Sequence, residues 1–318
     1  MGTVECMRGW WQDLTDLVLP AECGGCGRPR TVLCPACRAA LGGGAPRRVR
    51  PVPEPPGLPA VYAAVPYADA VRAALLAHKE RGALALARPL GVALAGAVRA
   101  GLRAAAAGAG AGTGAEPGAG AGAGTGTGPG ADAGAAGAGR SWAAAGGSVL
   151  LVPVPSARRT VRARGHDPTR RIARAAAGEL RRSGTPARVL AVLRQRRAVA
   201  DQSGLNSRQR LANLAGALEV AGGGAELLLS GPVVLVDDLV TTGASLTEAA
   251  RVVNVTVYTA RAREGMGQRK SGARQDPLRK ERNSMYGALE IGSAYGAGDV
   301  ICAAVVAASP DSFEKNRN

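Results

Sequence analysis

Two adjacent carboxylates follow a strongly apolar run in the C-terminal half of this 318-residue chain. The segment from Val233 to Ser245 reads Val-Val-Leu-Val-Asp-Asp-Leu-Val-Thr-Thr-Gly-Ala-Ser. β-Branched residues and leucine in such a run predict a strand covered on both faces, as in a parallel sheet. Ligands collect at the carboxyl ends of such strands. Asp237 and Asp238 are therefore candidate catalytic and binding residues, because carboxylates accept hydrogen bonds from vicinal sugar hydroxyls.

Small and hydroxyl-bearing residues follow the two acids. They are Thr241, Thr242, Gly243, Ala244 and Ser245. Backbone N–H groups and hydroxyls at the start of a helix suit an anion, so this turn predicts a phosphate cradle. The acids and the cradle together indicate a phosphorylated sugar as the ligand.

Two other interpretations of this segment stay open. A buried strand followed by a capped helix explains the hydroxyls but leaves the two acids unexplained. A Walker B strand would use the acids to hold Mg²⁺, but the sequence contains no G-x-x-x-x-G-K-[ST] loop to bind the phosphates of a nucleotide.

Four cysteines near the N-terminus have the C-x2-C-x7-C-x2-C spacing. They are Cys23, Cys26, Cys34 and Cys37. Two residues between thiolates allow both to bind one tetrahedral ion from a tight turn, so the array predicts a structural Zn²⁺ site. A redox C-x-x-C pair and an iron–sulfur centre are the alternatives. Cys6 and Cys302 stand apart, and we expect ordinary small apolar side chains at both positions.

The charge of the chain is strongly positive, at +16. Residues 158–210 contain fifteen arginines and three acids, so the excess of positive charge is concentrated just N-terminal to the acidic motif. This excess indicates polyanionic partners, either phosphates or nucleic acid, without choosing between them.

The hydrophobic pattern alternates between strands and helices, which predicts an α/β fold with a parallel sheet. Strands are expected at residues 61–65, 149–154, 190–193, 232–236 and 300–306. Helices are expected at residues 69–76, 83–102, 168–182, 208–218 and 245–252. Residues 47–59 have the composition of a linker. Residues 104–147 are almost wholly alanine and glycine and predict a disordered insert, since such a segment buries too little surface to offset the entropy of ordering.

Two domains follow from this pattern: residues 1–50 and residues 60–318. In the first, Trp10, Trp11 and Leu14 begin a helical apolar pattern, which predicts an amphipathic helix packed on a double zinc-ribbon-like knuckle. No segment is expected to cross or insert into a membrane: residues 83–107 are interrupted by arginine and proline, and Glu5 and Asp13 argue against a signal peptide. A cytoplasmic location is the resulting expectation.

These features occur in an order that resembles the ComF family of the type I phosphoribosyltransferase superfamily, which is associated with competence and DNA uptake. The resemblance rests on the four cysteines, the Val152-Pro153-Val154-Pro155 strand end, a basic loop ending in Arg-Gly, and the acidic motif. It covers residues 10 to about 252 apart from the insert, and it returns at 300–310. Residues 254–299 depart from the family pattern and read as an atypical insertion, in which 254–259 could form an edge strand.

The resemblance implies roles for residues that match the family's motifs. Asp237 and Asp238 would hold the ribose hydroxyls of phosphoribosyl pyrophosphate (PRPP), accompanied by Mg²⁺, and the turn after them would hold the 5′-phosphate. The basic loop would meet pyrophosphate through Arg158, Arg159, Arg162 and Arg164. Lys79 matches a family lysine. A solvated surface loop is the alternative for the arginines, and a snorkelling surface side chain is the alternative for Lys79. A segment that is often mobile in this fold is matched by Gln202, Arg208, Arg210 and Asn213.

Two functions follow as expectations from these patterns. The first is a PRPP-binding protein, with phosphoribosyl transfer as its reaction. The second is a non-catalytic adaptor that binds single-stranded DNA or a helicase or other protein of DNA uptake while keeping the fold. His78 and His166 read as isolated histidines without a catalytic role.

Overall fold

A computed structural model describes residues 22–111, 147–199, 204, 206–271 and 298–316. The predicted amphipathic helix at the N-terminus, Cys6 and the greater part of the two predicted insertions lie outside these residues. Within them the chain forms an α/β fold around a mostly parallel sheet, as the alternating pattern predicts.

The strands of the described chain are β1 (Arg47–Val49), β2 (Val61–Pro66), β3 (Val149–Pro153), β4 (Ala187–Val189), β5 (Leu193–Gln195), β6 (Leu218–Val220), β7 (Val233–Val240) and β8 (Val300–Ala308). The helices are α1 (Pro35–Gly42), α2 (Asp69–Glu80), α3 (Ala87–Ala111), α4 (Arg158–Arg164), α5 (Pro168–Arg182), α6 (Ser207–Leu214), α7 (Gly224–Leu228) and α8 (Ala244–Ser271). Two 3₁₀ turns, Leu84–Leu86 and Pro310–Asn316, complete them.

The central sheet has the order β1-β2-β8-β7-β3-β4. Neighbouring strands in this sheet are parallel, except that β1 pairs antiparallel with β2 at one edge. β5 and β6 form a separate antiparallel ribbon. Residues in the middle of β7 and β8 are buried on both faces, which explains their unbroken apolar sequence.

Helices cover the two faces of the sheet and form two apolar clusters. α2, α3 and α5 pack with the cysteine-bearing segment on one face, where Leu90, Leu94 and Ile172 are buried. α8 covers the other face together with residues of β5 and β6, and Leu246 is buried there. Successive residues of β7 alternate between these two clusters, as expected for a strand in the centre of the fold.

Several predicted boundaries are wrong. Residues 190–193 do not form one strand, because the chain leaves β4 after Val189 and begins the β5–β6 ribbon at Leu193. The helix predicted to reach residue 218 ends at Leu214, since Ala215, with a ψ of 123°, and Gly216, with a φ of 66°, are not helical. The predicted linker at 47–59 contains β1, whose residues pair with β2.

Residues 254–259 are not an edge strand but part of α8. Val253 and Val257 are buried while Val255 and Tyr258 are exposed, so the burial follows a helical period and not an alternating one. The helix runs on to Ser271, and therefore the atypical segment at 254–299 begins as a continuation of the motif helix. In the same way, the first residues of the predicted Ala/Gly insert, 104–111, belong to α3.

The segment from Leu84 to Gly108, which joins the 3₁₀ turn to most of α3, is the one part of the described chain long and apolar enough to cross a membrane by length and composition. The arginines in this segment therefore lower its mean hydropathy too little to exclude it by composition. Over half of its apolar window, 56%, is buried inside the fold, which is what the core helix of a soluble protein shows.

Candidate functional site

The candidate site lies where the connections of the sheet change direction. From β3 the chain passes through α4 and α5 to β4 on one side of β3, and β7 then pairs with the other side. α5, which follows β3, covers one face of the sheet, and α8, which follows β7, covers the opposite face. The loops that leave these two neighbouring strands therefore diverge, and a crevice between such loops is where ligands bind in open α/β sheets.

The two adjacent acids lie at this end of β7. Val236 is the last residue of β7 that pairs with β3, and the strand continues alongside β8 alone, with Asp237 opposite Val305. Strand β7 is thus longer than predicted and carries both acids within it. The backbone N–H of Asp238 donates to Oδ1 of Asp237 over 2.8 Å.

Lys79, at the end of α2, contacts the second acid. Its Nζ lies 3.0 Å from Oδ2 of Asp238, whose side chain is 9% exposed. The charge of Asp238 raises the pKa of Lys79 above its ordinary value, against the opposing effect of burial. The ammonium group of Lys79 is therefore paired with a carboxylate, although its side chain is 36% exposed.

Asp237 differs electrostatically from its neighbour. Its pKa is raised well above the ordinary value of an aspartate, first because burial penalises the charged carboxylate and second because Asp238 is negatively charged. Lys79 opposes both effects. Asp237 therefore keeps its proton to a higher pH than an ordinary aspartate, and a bound cation or hydroxyl donor would favour its ionised form.

The hydroxyl-rich turn follows directly and ends where α8 begins. Gly243 has a φ of 76°, a left-handed conformation that favours glycine, and a Cβ at this position would lie 3.0 Å from a methyl group of Leu58. Its carbonyl accepts hydrogen bonds from the backbone N–H and the hydroxyl of Thr247, over 2.9 and 3.1 Å. Thr241 is exposed and Thr242 and Ser245 are partly exposed, whereas Gly243 and Ala244 are buried.

The basic loop after β3 forms α4, and its end is joined to the end of α2. Arg164 makes an ion pair with Glu80, next to Lys79. Arg162 is exposed on the same helix, and the side chains of Arg158 and Arg159 lie outside the described residues. The structure thus brings the last turn of α4 next to Lys79, although Arg164 is occupied by a carboxylate.

The two histidines are neighbours, which their separation in the sequence did not predict. Their ring centroids lie 5.9 Å apart. His78 is fully buried, and its two ring nitrogens lie 3.2 and 3.4 Å from the carbonyl oxygens of Ala83 and Pro168. Burial is the main cause that lowers the pKa of His78. Both histidines join α2 to the start of α5, and this supports a role in fixing Lys79 in place.

Arg210 is a residue of the site to which the sequence assigned no role. It lies on α6, and one of its terminal nitrogens is 3.4 Å from the hydroxyl oxygen of Thr241. A basic residue within a segment resembling a mobile loop gave no signal for this contact, because the contact depends on how α6 packs against α8.

The four cysteines lie together, as their spacing predicts. Their Sγ atoms are all within 4.8 Å of one another. Sγ of Cys26 and Sγ of Cys34 are 3.6 Å apart, close to the separation of about 3.8 Å expected for thiolates bound at about 2.3 Å around a tetrahedral Zn²⁺. The donor set therefore fits a metal such as zinc, with Cys23, Cys34 and Cys37 buried.

The surroundings of the cysteines shift their thiol pKa values in different directions. Burial raises the pKa of Cys23, but backbone N–H groups of Cys34, Cys26 and Gly25 outweigh it and bring the pKa to about 6. Burial raises the pKa of Cys37. Cys302 is buried in β8, away from this cluster, where burial raises its pKa to about 12. That position fits the expected small apolar role.

Compared with known proteins, the chain matches no family model and no curated protein.

Proposed function

We propose that this chain binds PRPP with Mg²⁺ at the carboxyl ends of β3 and β7, and that it is a ComF-like member of the type I phosphoribosyltransferase superfamily. The observation that carries the proposal is the placement of Asp237 and Asp238. They lie at the point where the sheet connections reverse, and a hydroxyl-rich turn and the start of α8 follow directly. Few ligands need both acceptors for two vicinal hydroxyl groups and a binding site for an anion. A phosphorylated pentose needs both.

Each part of the ligand has a matching group in this proposal. The carboxylates of Asp237 and Asp238 accept hydrogen bonds from the ribose hydroxyls, and Lys79 limits their mutual repulsion. The turn at 241–245 holds the 5′-phosphate at the beginning of α8. The basic loop that forms α4 would supply guanidinium groups to the pyrophosphate, for which their planar shape is well suited. When bound beside the acidic pair, Mg²⁺ would neutralise part of the negative charge of the pyrophosphate.

Transfer in this site would rest on positioning and charge stabilisation. An acceptor nucleophile would attack the anomeric carbon, and pyrophosphate would leave with the bonding electrons. Among the described residues we identify no general base for the acceptor. Ligand binding is therefore the part of the proposed function that the site supports.

A thermal-shift series tests this function. PRPP with Mg²⁺ is compared with pyrophosphate, ribose 5-phosphate and nucleotides on the full chain. A ligand at 100 times its Kd adds about 2.7 kcal/mol to folding stability, so PRPP should raise the melting temperature more than either of its parts. Equal or absent shifts for all of these compounds would refute PRPP binding.

A second candidate function, a nucleic-acid adaptor, is favoured by the surface formed by α3 and α5. A Cβ at Gly91 would lie 2.4 Å from the Cβ of Ala175, and a guanidinium nitrogen of Arg99 lies 3.1 Å from Oγ of Ser183. Both pairs are 84 residues apart in sequence, so the two helices run parallel and in register.

Exposed arginines are concentrated on these two helices. They are Arg88, Arg103, Arg170, Arg171, Arg174, Arg181 and Arg182. α3 contains no acid, and α5 contains one, Glu179, which pairs with Arg182. A long surface of one charge fits a linear polyanion such as single-stranded DNA.

The salt dependence of single-stranded DNA binding tests this second function. For single strands the slope of log K against log salt changes by about 0.7 for each phosphate contact. Arg171→Gln combined with Arg174→Gln should therefore reduce the slope by about 1.4. The matched control is Arg47→Gln with Arg48→Gln on the edge strand β1. Equal slopes in the two double variants would show that α5 does not contribute to a DNA-binding surface.

A further inference from the structure

The last two residues of α2 carry opposite charges and reach different parts of the candidate site. Nζ of Lys79 lies 3.0 Å from Oδ2 of Asp238 on β7. Oε2 of the next residue, Glu80, accepts a hydrogen bond from Nη2 of Arg164 at the end of α4. The end of α2 therefore pairs with one charged group from the acidic pair and with another from the basic loop after β3.

The two cations at this place lie close enough to influence each other. Asp238 raises the pKa of Lys79, whereas the charge of Arg164 lowers it. Release of Glu80 would leave the guanidinium of Arg164 without its carboxylate, next to the ammonium of Lys79. Two neighbouring cations of this kind favour a polyanion as the new partner.

The two members of the Glu80–Arg164 pair differ in exposure. The side chain of Arg164 is 19% exposed, whereas that of Glu80 is 47% exposed. The carboxylate can therefore turn into water while the guanidinium keeps its place. Because a partly exposed ion pair contributes little free energy, phosphate oxygens can replace the carboxylate on the same guanidinium.

The backbone of Arg164 is held independently of this ion pair. Nδ1 of His166 lies 3.0 Å from the carbonyl oxygen of Arg164, and its Nε2 lies 3.4 Å from the carbonyl oxygen of His78. Gly165, between them, ends α4 with a φ of 72°. The side chain of Arg164 can therefore exchange its partner while the end of α4 stays beside α2.

We infer that Glu80 is a specificity-determining residue that competes with the pyrophosphate group of a ligand for Arg164. The inference rests on the proposed function, which gives the pyrophosphate to the basic loop and assigns no role to Glu80. A ligand with a pyrophosphate group binds fully only when Arg164 exchanges Glu80 for it, so the small fraction of molecules with a free guanidinium lowers the apparent affinity. Ribose 5-phosphate has no pyrophosphate group and does not meet this competition. The contact thus weakens the binding of free pyrophosphate and favours its release.

Calorimetry of the full chain with pyrophosphate and with ribose 5-phosphate, each with Mg²⁺, tests the competition. Glu80→Gln should bind pyrophosphate about fivefold more tightly than the wild type, the equivalent of about 1 kcal/mol and the upper end of the range for an exposed pair. Its affinity for ribose 5-phosphate should stay within about twofold of the wild type. The matched control is Glu219→Gln, which breaks the exposed pair with Arg194 on the β5–β6 ribbon and should leave both affinities unchanged.

The same comparison in an Arg164→Gln background separates competition from general repulsion. Without the guanidinium, Glu80→Gln should give no gain in pyrophosphate affinity. An equal gain with and without Arg164 would assign the effect to the charge of Glu80 alone and overturn the inference. A structural role would also overturn it, and in that case Glu80→Gln would lower the melting temperature and weaken the binding of both ligands.

The outcomes also separate this inference from the proposed function. If Glu80→Gln binds pyrophosphate no more tightly than the wild type, while changing Asp237 and Asp238 to Asn abolishes PRPP binding, the competition is wrong and the function stands. If the wild-type chain binds neither PRPP nor pyrophosphate, both are wrong.

Discussion

Replacing Lys79 by Met should destabilise the ligand-free protein measurably, although the residue lies at the edge of the fold. The variant keeps the length and the apolar stem of the side chain but leaves the buried Asp238 without its cation. At the observed 3.0 Å, the attraction between the two charges is about 5.5 kcal/mol in a medium of effective dielectric constant 20.

The net loss is smaller, since the side chain of Lys79 is 36% exposed and water screens it. Breaking a fully buried ion pair costs about 3–5 kcal/mol and breaking an exposed pair about 0–1 kcal/mol, so a loss of about 2 kcal/mol is expected. The control is Arg194→Met, which breaks the exposed pair between Arg194 and Glu219 at 2.8 Å and should cost less than about 1 kcal/mol.

The loss should depend on pH in a defined direction. The pKa of Asp237 is raised by burial and by Asp238, and Lys79 opposes that rise. A carboxyl group with a raised pKa in the folded state loses stability as the pH rises from its ordinary value, 3.8, through the raised value. Without Lys79 this rise is larger, and therefore the variant should differ from the wild type more at pH 8 than at pH 4.

Urea unfolding in the presence of zinc, at both pH values, measures these differences. A double-mutant cycle with Asp238→Asn isolates the pair, and a coupling of about 1–2 kcal/mol is expected at pH 8. A coupling near zero, or a loss no greater than that of Arg194→Met, would refute the assignment of Lys79 as the counter-ion of the acidic pair.

Three further predictions concern the turn, the helices and the cysteines. Gly243→Ala should destabilise the protein by about 1–2 kcal/mol and weaken ribose 5-phosphate binding in calorimetry, because an alanine is strained at a φ of 76°; unchanged values in both would contradict the cradle. Gly91→Ala should cost about 1–3 kcal/mol in urea unfolding, because its Cβ would meet Ala175, whereas Gly178→Ala has open space and should stabilise by up to about 1 kcal/mol; equal effects would refute the close α3–α5 packing. Cys37→Ser should lose zinc in metal analysis while Cys302→Ala retains it, and retention by both would refute the four-thiolate site.

The α/β class could be predicted because its signals are local. Long apolar runs, such as those of β7 and β8, have few alternatives to a strand buried on both faces. The cysteine spacing also predicted the proximity of the four thiols, since a tight turn fixes each pair. Predictions were poorest where an element depends on a distant partner, as in the β5–β6 ribbon and in β1.

The site was predicted in part for the same reason. The acids and the hydroxyl-rich turn are adjacent in sequence, so one segment places them together. The contact between Lys79 and Asp238 joins residues 159 apart, and only the resemblance to a family marked the lysine in advance. Arg210 and the pair of histidines depend on the packing of α6 against α8 and of α2 against α5, for which the sequence has no local signal.

Calorimetric titration of the full chain with PRPP and Mg²⁺ is the most direct test of the acidic pair as a sugar site. The variant combines Asp237→Asn with Asp238→Asn. The control is Glu226→Gln, which neutralises an exposed acid on α7, the helix that precedes the N-terminal end of β7. We predict that the wild type and the control bind equally and that the double variant loses at least about 100-fold in affinity, the equivalent of about 2.7 kcal/mol. Equal affinity of all three proteins for PRPP, or its absence in the wild type, would contradict the account.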